Sequence, residues 1–210
     1  MPYQNRVTPT GELISTSARG TLMGNRGRLH TPEKKIVRSW QLKAWITCLL
    51  EFKNYHRTIM SPNTWTELFF LDEITAFAAG HRPCAYCRRQ DFKRFKELWL
   101  AANPNLVSGQ SIKFVDQVLH RERVSKNKTK LFYHERLKNL PMGTMFMLPK
   151  IANQYFALGK NRVFRWSPQR YESYLSISGE ASVRVLTPRS VVKTFAQGYE
   201  PKFHESSLPC

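Results

Sequence analysis

Apolar positions along this chain recur at two different spacings, and the change between them predicts where strands give way to helices. Up to Thr66 the apolar runs are short and punctuated by glycine. Glu12–Thr16 and Thr21–Met23 read as strands between Gly11, Gly20 and Gly24, with Gly24-Asn25-Arg26-Gly27 as a turn. Ile36–Trp40 and Ala44–Phe52 carry β-branched and aromatic residues, and the second run is continuous enough to predict a buried strand. Ser61-Pro62-Asn63 marks a further turn. From Leu68 the spacing becomes helical. Asp72 is placed to cap a short helix carrying Ile74, Phe77 and Ala78, with Gly80 as its stop. A longer helix is predicted from Arg88, with Phe92, Phe95, Leu98, Trp99 and Ala102 on one face and Pro104 beyond its end.

The second half repeats this mixture. Ile112, Val115, Val118 and Leu119 share one face of a helix predicted over Ser111–Arg123. Tyr155–Leu158, the turn Gly159-Lys160-Asn161 and Val163–Trp166 form a hairpin. Val183–Leu186 reads as a strand, followed by Thr187-Pro188 at the start of a helix that Gly198 closes. No internal repeat is visible. Ala102–Gly109 is rich in Pro, Asn and Gly and separates the two patterned halves. The expected fold is therefore α+β: a metal-stabilised N-terminal lobe of short strands and helices over 1–105, then a basic helix and loop with a small mixed lobe over 106–210.

Composition adds a direction to this picture. Lysine and arginine number 33 against 15 aspartates and glutamates, a net charge of +18 in 210 residues. Such an excess speaks for polyanionic partners, chiefly nucleic acid, and says little about fold. Hydrophobic residues make up 41% of the chain, which excludes global disorder. No stretch approaches the ~18 apolar residues of a membrane span, and the N-terminal segment lacks a signal peptide's apolar centre. A cytoplasmic, reducing location is the expectation, and there a close pair of cysteines reads as a metal site before a disulfide.

Cys84 and Cys87 form such a pair, two residues apart in His81-Arg82-Pro83-Cys84-Ala85-Tyr86-Cys87 and just before a helix. That spacing lets two thiolates share a tetrahedral zinc while the helix start favours their charge, and Arg82, Arg88 and Arg89 lower the thiol pKa. A redox dithiol would call for a βαβ setting, whereas here the motif follows a helix. The remaining ligands must come from Cys48, Cys210 and the histidines. The preferred quartet is His30, Cys48, Cys84 and Cys87, with His81 or His56 as substitutes and Cys210, the last residue, as the poorest choice.

The run from Phe69 through Asp72-Glu73-Ile74-Thr75-Ala76-Phe77-Ala78-Ala79-Gly80 to Arg82-Pro83-Cys84 and Cys87 resembles the end of an Ada-type metal-binding domain. Met23-Gly24-Asn25-Arg26-Gly27-Arg28-Leu29-His30 is similar to the segment that opens some members and supplies a first ligand. The resemblance spans residues about 20–90 and implies zinc and DNA contact. In one branch it implies methyl transfer to a zinc-bound cysteine, which would make Cys48 the nucleophile. The family's first two ligands stand three residues apart; here nothing at Lys34 can ligate, and Cys48 comes much later. Phe164-Arg165-Trp166-Ser167-Pro168, Val185-Leu186-Thr187-Pro188 and Gly198-Tyr199-Glu200-Pro201 resemble segments of small basic bacterial proteins, and that resemblance brings no activity with it.

From Lys113 to Lys138 there are eight lysines and arginines against three acids, densest over Arg121–Lys130. Such a run is a solvated loop or a phosphate-contacting one. The expected nucleic-acid contacts are Arg82, Arg88, Arg89, Lys93 and Arg94 near the metal, and Arg121, Arg123, Lys126, Lys128 and Lys130 in the loop. The expectation is a zinc-containing protein that binds nucleic acid, DNA before RNA, with no catalytic residues assigned. The alternative is a nuclease in which Glu51 and Lys53 hold a divalent metal and a water, although the earlier strands offer only Glu12 and Glu33 as an acidic partner. A His-Asn-His nuclease is excluded because the next histidine after Cys87 is His120, and no phosphate loop or nucleophile elbow occurs.

Overall fold

The computed structural model describes residues 1–54, 58–106, 108–149, 151–174 and 177–207. The protein is α+β, with two six-stranded sheets. The first contains β1 (Gln4–Val7), β2 (Leu13–Ser15), β3 (Leu22–Asn25), β4 (Ile46–Leu49), β5 (Leu68–Phe70) and β6 (Arg82–Pro83), in the order β2-β1-β5-β3-β4-β6. It is mixed: β1 runs parallel to β5 and β4 parallel to β6, and the other pairs are antiparallel. The second contains β7 (Tyr133–Arg136), β8 (Met145–Met147), β9 (Phe156–Leu158), β10 (Val163–Trp166), β11 (Tyr171–Tyr174) and β12 (Ser182–Val185). Its order is β11-β10-β9-β8-β12-β7, antiparallel throughout.

The helices follow the apolar spacing closely. α1 (Glu73–Ala78) is capped by Asp72, whose carboxylate accepts from the Thr75 amide at 2.8 Å. α2 spans Arg89–Ala102 and α3 Ile112–Arg123, the latter capped by Ser111. α4 (Arg189–Ala196) ends two residues before Gly198, which has φ +104°. Thr187 does not cap it. Its hydroxyl accepts from the Met145 amide at 2.9 Å, so it ties β8 to the end of β12, and Pro188 holds the cap position instead.

The predicted strand Ile36–Trp40 is absent: only a single bridge, His30 to Ile36, forms there. The segment instead folds back on the first sheet through Val37 N–H to Leu29 and Gln41 N–H to Arg26, both at 2.9 Å. The strand predicted over Ala44–Phe52 shrinks to β4, and Leu49 at its end and Leu50 beyond it are exposed.

α1 explains how the halves are joined. All six of its residues are buried. Ile74 and Ala78 pack with Met145, Ala157 and Trp166 of the second sheet, while Phe77 packs with Phe95 and Trp99 of α2 and Phe195 of α4. Trp166 donates to Thr75 Oγ1 at 3.0 Å. The Asp72 and Glu73 carboxylates accept the amides of His204 and Lys202 at 3.0 and 2.9 Å, drawing the C-terminal segment onto the N-terminal half. The two patterned halves therefore share apolar clusters. Among the described residues no helix is long and apolar enough to cross a membrane.

Candidate metal centre

Cys48 lies on β4 and Cys84 directly follows β6. Because these strands run parallel with Thr47 opposite Pro83, the Cys84 amide donates to Thr47 O at 2.8 Å, and the register brings the two thiols to one sheet edge. The chain then turns through Ala85 and Tyr86 and enters α2, which returns Cys87 to the same place. The Sγ atoms of Cys48, Cys84 and Cys87 lie within 4.8 Å of one another. Cys84 is buried, and Cys48 and Cys87 are partly so. The Tyr86 amide approaches Cys84 Sγ at 3.4 Å. Hydrogen bonds from the Cys48 and Cys87 thiols, with the Tyr86 and Cys87 amides, hold Cys84 well below the ordinary thiol range. Its role as donor to those two thiols, together with burial, pushes Cys48 up. A bound cation would favour the thiolate form of all three.

Three thiols at this separation can hold a metal ion. Beside them opens a cleft of about 550 Å³, with Phe52, Trp65, Phe69 and Tyr86 among its walls and the carboxylates Glu51 and Glu67 on its rim and floor. Glu67 is buried and accepts the Met60 amide at 2.8 Å.

Of the expected quartet, the structure gathers the three cysteines and leaves His30 apart. The His30 ring is buried with Nδ1 2.6 Å from Thr66 Oγ1 and Nε2 3.1 Å from the Ser61 carbonyl, so both nitrogens are engaged in tying the loop before β5. His81 is likewise elsewhere. It packs between Trp45 and Phe70, and its Nε2 accepts from Arg26 Nε at 3.2 Å. Burial, reinforced by Arg26 and Arg123, holds its pKa well below the usual histidine value, so it is neutral. His56 and Cys210 lie outside the described residues.

The basic residues divide into two sets. Arg89, Lys93, Arg94, Arg121, Lys126 and Lys128 are exposed, as expected of phosphate contacts. Arg82 and Arg88 are not surface contacts, because both are consumed inside the fold. Arg82 is bidentate on Asp116 of α3 at 2.8 Å. Arg88, at the start of α2, pairs with Glu73 of α1 and Asp91 and donates to Thr47 Oγ1 of β4 at 2.8 Å. The carboxylates that meet these two buried cations offset the cost of taking them out of water. Arg123 is fully buried beneath Gly80, whose φ of +87° and close approach leave no room for a side chain: a Cβ there would lie 2.4 Å from Arg123 Cδ. Lys130 is partly buried, and its ammonium donates to Ala78 O at 2.5 Å.

Glu51 and Lys53 are not paired on a strand. They follow β4 in a turn where Lys53 has φ +53°, and the Lys53 ammonium rests over Tyr86, 3.4 Å from its hydroxyl. The Arg82–Asp116 and Arg88–Glu73 pairs lay beyond sequence reasoning, since each joins residues from different elements with no local spacing to announce it. Comparison with protein-family models, with curated proteins and with solved structures finds no match to this chain.

Proposed function

We propose that the protein is a zinc-thiolate protein that binds nucleic acid, DNA in preference to RNA, through its exposed cations. Three soft thiolate donors favour zinc over the hard divalent ions, and the centre staples β4 and β6 to the start of α2. The observation that carries the nucleic-acid reading is where the charge remains. Among the described residues burial removes four arginines (Arg26, Arg82, Arg88, Arg123) and as many carboxylates (Glu67, Asp72, Glu73, Asp116). Among the described residues burial therefore leaves the excess of positive charge undiminished, and on the outside counterion release gives affinity without sequence preference.

Two measurements test this reading. Protein purified without added metal should carry about one zinc per chain, and metal-free protein with an intact 84–87 disulfide would end the zinc assignment. For a short duplex, log K should fall with log salt by ~0.9 per phosphate neutralised, and reversing charge at Arg89, Lys93, Arg121 and Lys126 should flatten the slope for all sequences alike. Absence of duplex binding at low salt would overturn the reading. Cleavage of the duplex with Mg²⁺ or Mn²⁺, abolished by Glu51→Ala and by Lys53→Ala, would replace it with the nuclease.

A further inference from the structure

Around Trp45, which precedes β4, the fold buries two arginines that no acid among the described residues meets. Arg26 and Arg123 both pack on the Trp45 ring, their guanidinium carbons 4.1 and 3.9 Å from its centroid. The acceptors given to them are neutral. Arg26 donates to the carbonyls of Gly11 and Ser39 and to His81, and Arg123 to the carbonyls of Gly80 and Lys43, with His120 Nδ1 at 3.1 Å. Arg26 Nη2, Arg123 Nε and the indole nitrogen of Trp40 have no hydrogen-bond partner among the described residues, and all three residues border one cleft of about 610 Å³. Lys130 borders it as well, and Lys128 and Thr129 stand at its mouth. The nearest acids are committed elsewhere or peripheral: Asp116 is bidentate on Arg82, Glu122 holds Ser190, and Glu12 is an exposed rim residue.

The contrast with Arg82 and Arg88 is informative. The same fold gives each of those buried arginines a carboxylate, yet leaves Arg26 and Arg123 without one. A guanidinium stays charged when buried, so an unmet pair carries a desolvation cost that a counter-anion would offset. We propose that this cleft, between the Thr8–Glu12 turn, Trp40–Trp45 and the Val124–Lys130 loop, binds a phosphate group, as inorganic phosphate or a phosphate monoester. A dianion with several acceptor oxygens suits converging guanidinium and ammonium donors better than a single carboxylate does. The unpartnered nitrogens are shielded from solvent, whereas Lys128 and Thr129 are exposed residues on the border of the same cleft. Burial pushes the Arg26 guanidinium down to about 9, and burial with the charges of Arg123 and Arg26 pushes the Lys130 ammonium down to about 7, both of which a bound dianion would reverse.

This site is separate from the surface reading of nucleic-acid binding and does not depend on it. The test titrates the full-length, metal-loaded protein with inorganic phosphate by calorimetry and by tryptophan fluorescence, against chloride at matched ionic strength. A saturable phosphate isotherm with a change in Trp45 emission, absent with chloride, is expected. Lys130→Met should weaken it by about tenfold, and Lys128→Ala by less. Because Arg26→Gln risks unfolding the sheet, these two lysine variants carry the test. Two single-stranded oligonucleotides, with a 5′-phosphate or a 5′-hydroxyl, distinguish the source of the group. Tighter binding of the phosphorylated one, competed by inorganic phosphate, assigns a nucleic-acid end. Equal binding of the two beside a saturable phosphate isotherm assigns a free phosphorylated molecule. A flat isotherm, or one that both lysine variants leave unchanged, overturns the proposal, whereas salt-dependent binding of a 5′-hydroxyl duplex reports only on the surface.

Discussion

The two sheets are built on different physical terms. The second is antiparallel, and its inner face is apolar, with Phe146, Phe156, Val163, Val183 and Val185 in one cluster. The first is mixed, its strands are two to four residues long, and charged and polar side chains (Arg26, His30, Glu67, His81, Arg82) are buried around it. The second sheet's strands are as short, three or four residues each, so length does not separate the two. The first sheet has a smaller apolar cluster (Val7, Leu29, Leu68, Phe70), and polar contacts are added to it. Its cross-links are a three-thiol centre, buried ion pairs, and cations stacked on Trp45. A sheet held by apolar contact tolerates the loss of any one partner in proportion to its size. A sheet held by pairs fails when one member is removed, because the other is left buried and unmet.

The largest expected effect is at the thiols. Cys84→Ser, or chelation of the wild type, should unfold the first sheet, because structural zinc supplies on the order of 10 kcal/mol of folding free energy. Amide exchange resolved by segment should show β3, β4 and β6 losing protection while β9 and β10 keep theirs; uniform loss would erase the distinction between the sheets.

Next come one apolar and one ionic deletion of similar expected size. Phe146→Ala should destabilise by about 3–5 kcal/mol through a core cavity. Glu73→Gln, which strips the carboxylate from Arg88, Tyr199 and the Lys202 amide, should cost about 3–5 kcal/mol as well. The two separate in double mutants: adding Arg88→Met should recover part of the Glu73→Gln loss, and no charge change should rescue Phe146→Ala. Denaturant titrations of the four proteins decide this, and equal behaviour would break the comparison.

The smallest effect sharpens the metal assignment. His30→Gln should cost only about 1–2 kcal/mol, for its two hydrogen bonds, and leave the metal content unchanged. Loss of metal in that variant would return His30 to the ligand set.

Much of the local structure was legible in the sequence. Asp72 and Gly80 bracket α1, the apolar face of Phe95 and Trp99 marks α2, Ser111 opens α3, and the turn Gly159-Lys160-Asn161 joins β9 to β10. Caps, stops and helical spacing are local chemistry, written within a few residues of where they act. The Cys84/Cys87 pair was visible for the same reason. The strands β1, β5, β6, β7, β8 and β11 were missed, as was the short reach of β4, because strands of two to four residues are defined by their neighbours rather than by any pattern of their own.

By itself, then, the sequence determined the helices, the hairpin, the net charge and the two-residue spacing of the thiols, all of which depend on adjacent residues or on simple addition. Only the tertiary structure decided which third thiol joins the pair, for Cys48 reaches it through the parallel register of β4 and β6. It also decided that His30 serves a loop, and that of the arginines flanking the pair Arg82 and Arg88 turn inward to Asp116 and Glu73 while Arg89 stays outside. A side chain's partner across the fold is set by packing, so arginines with the same local surroundings end as core or surface according to what the folded chain brings to meet them, a carboxylate for Arg82 and for Arg88.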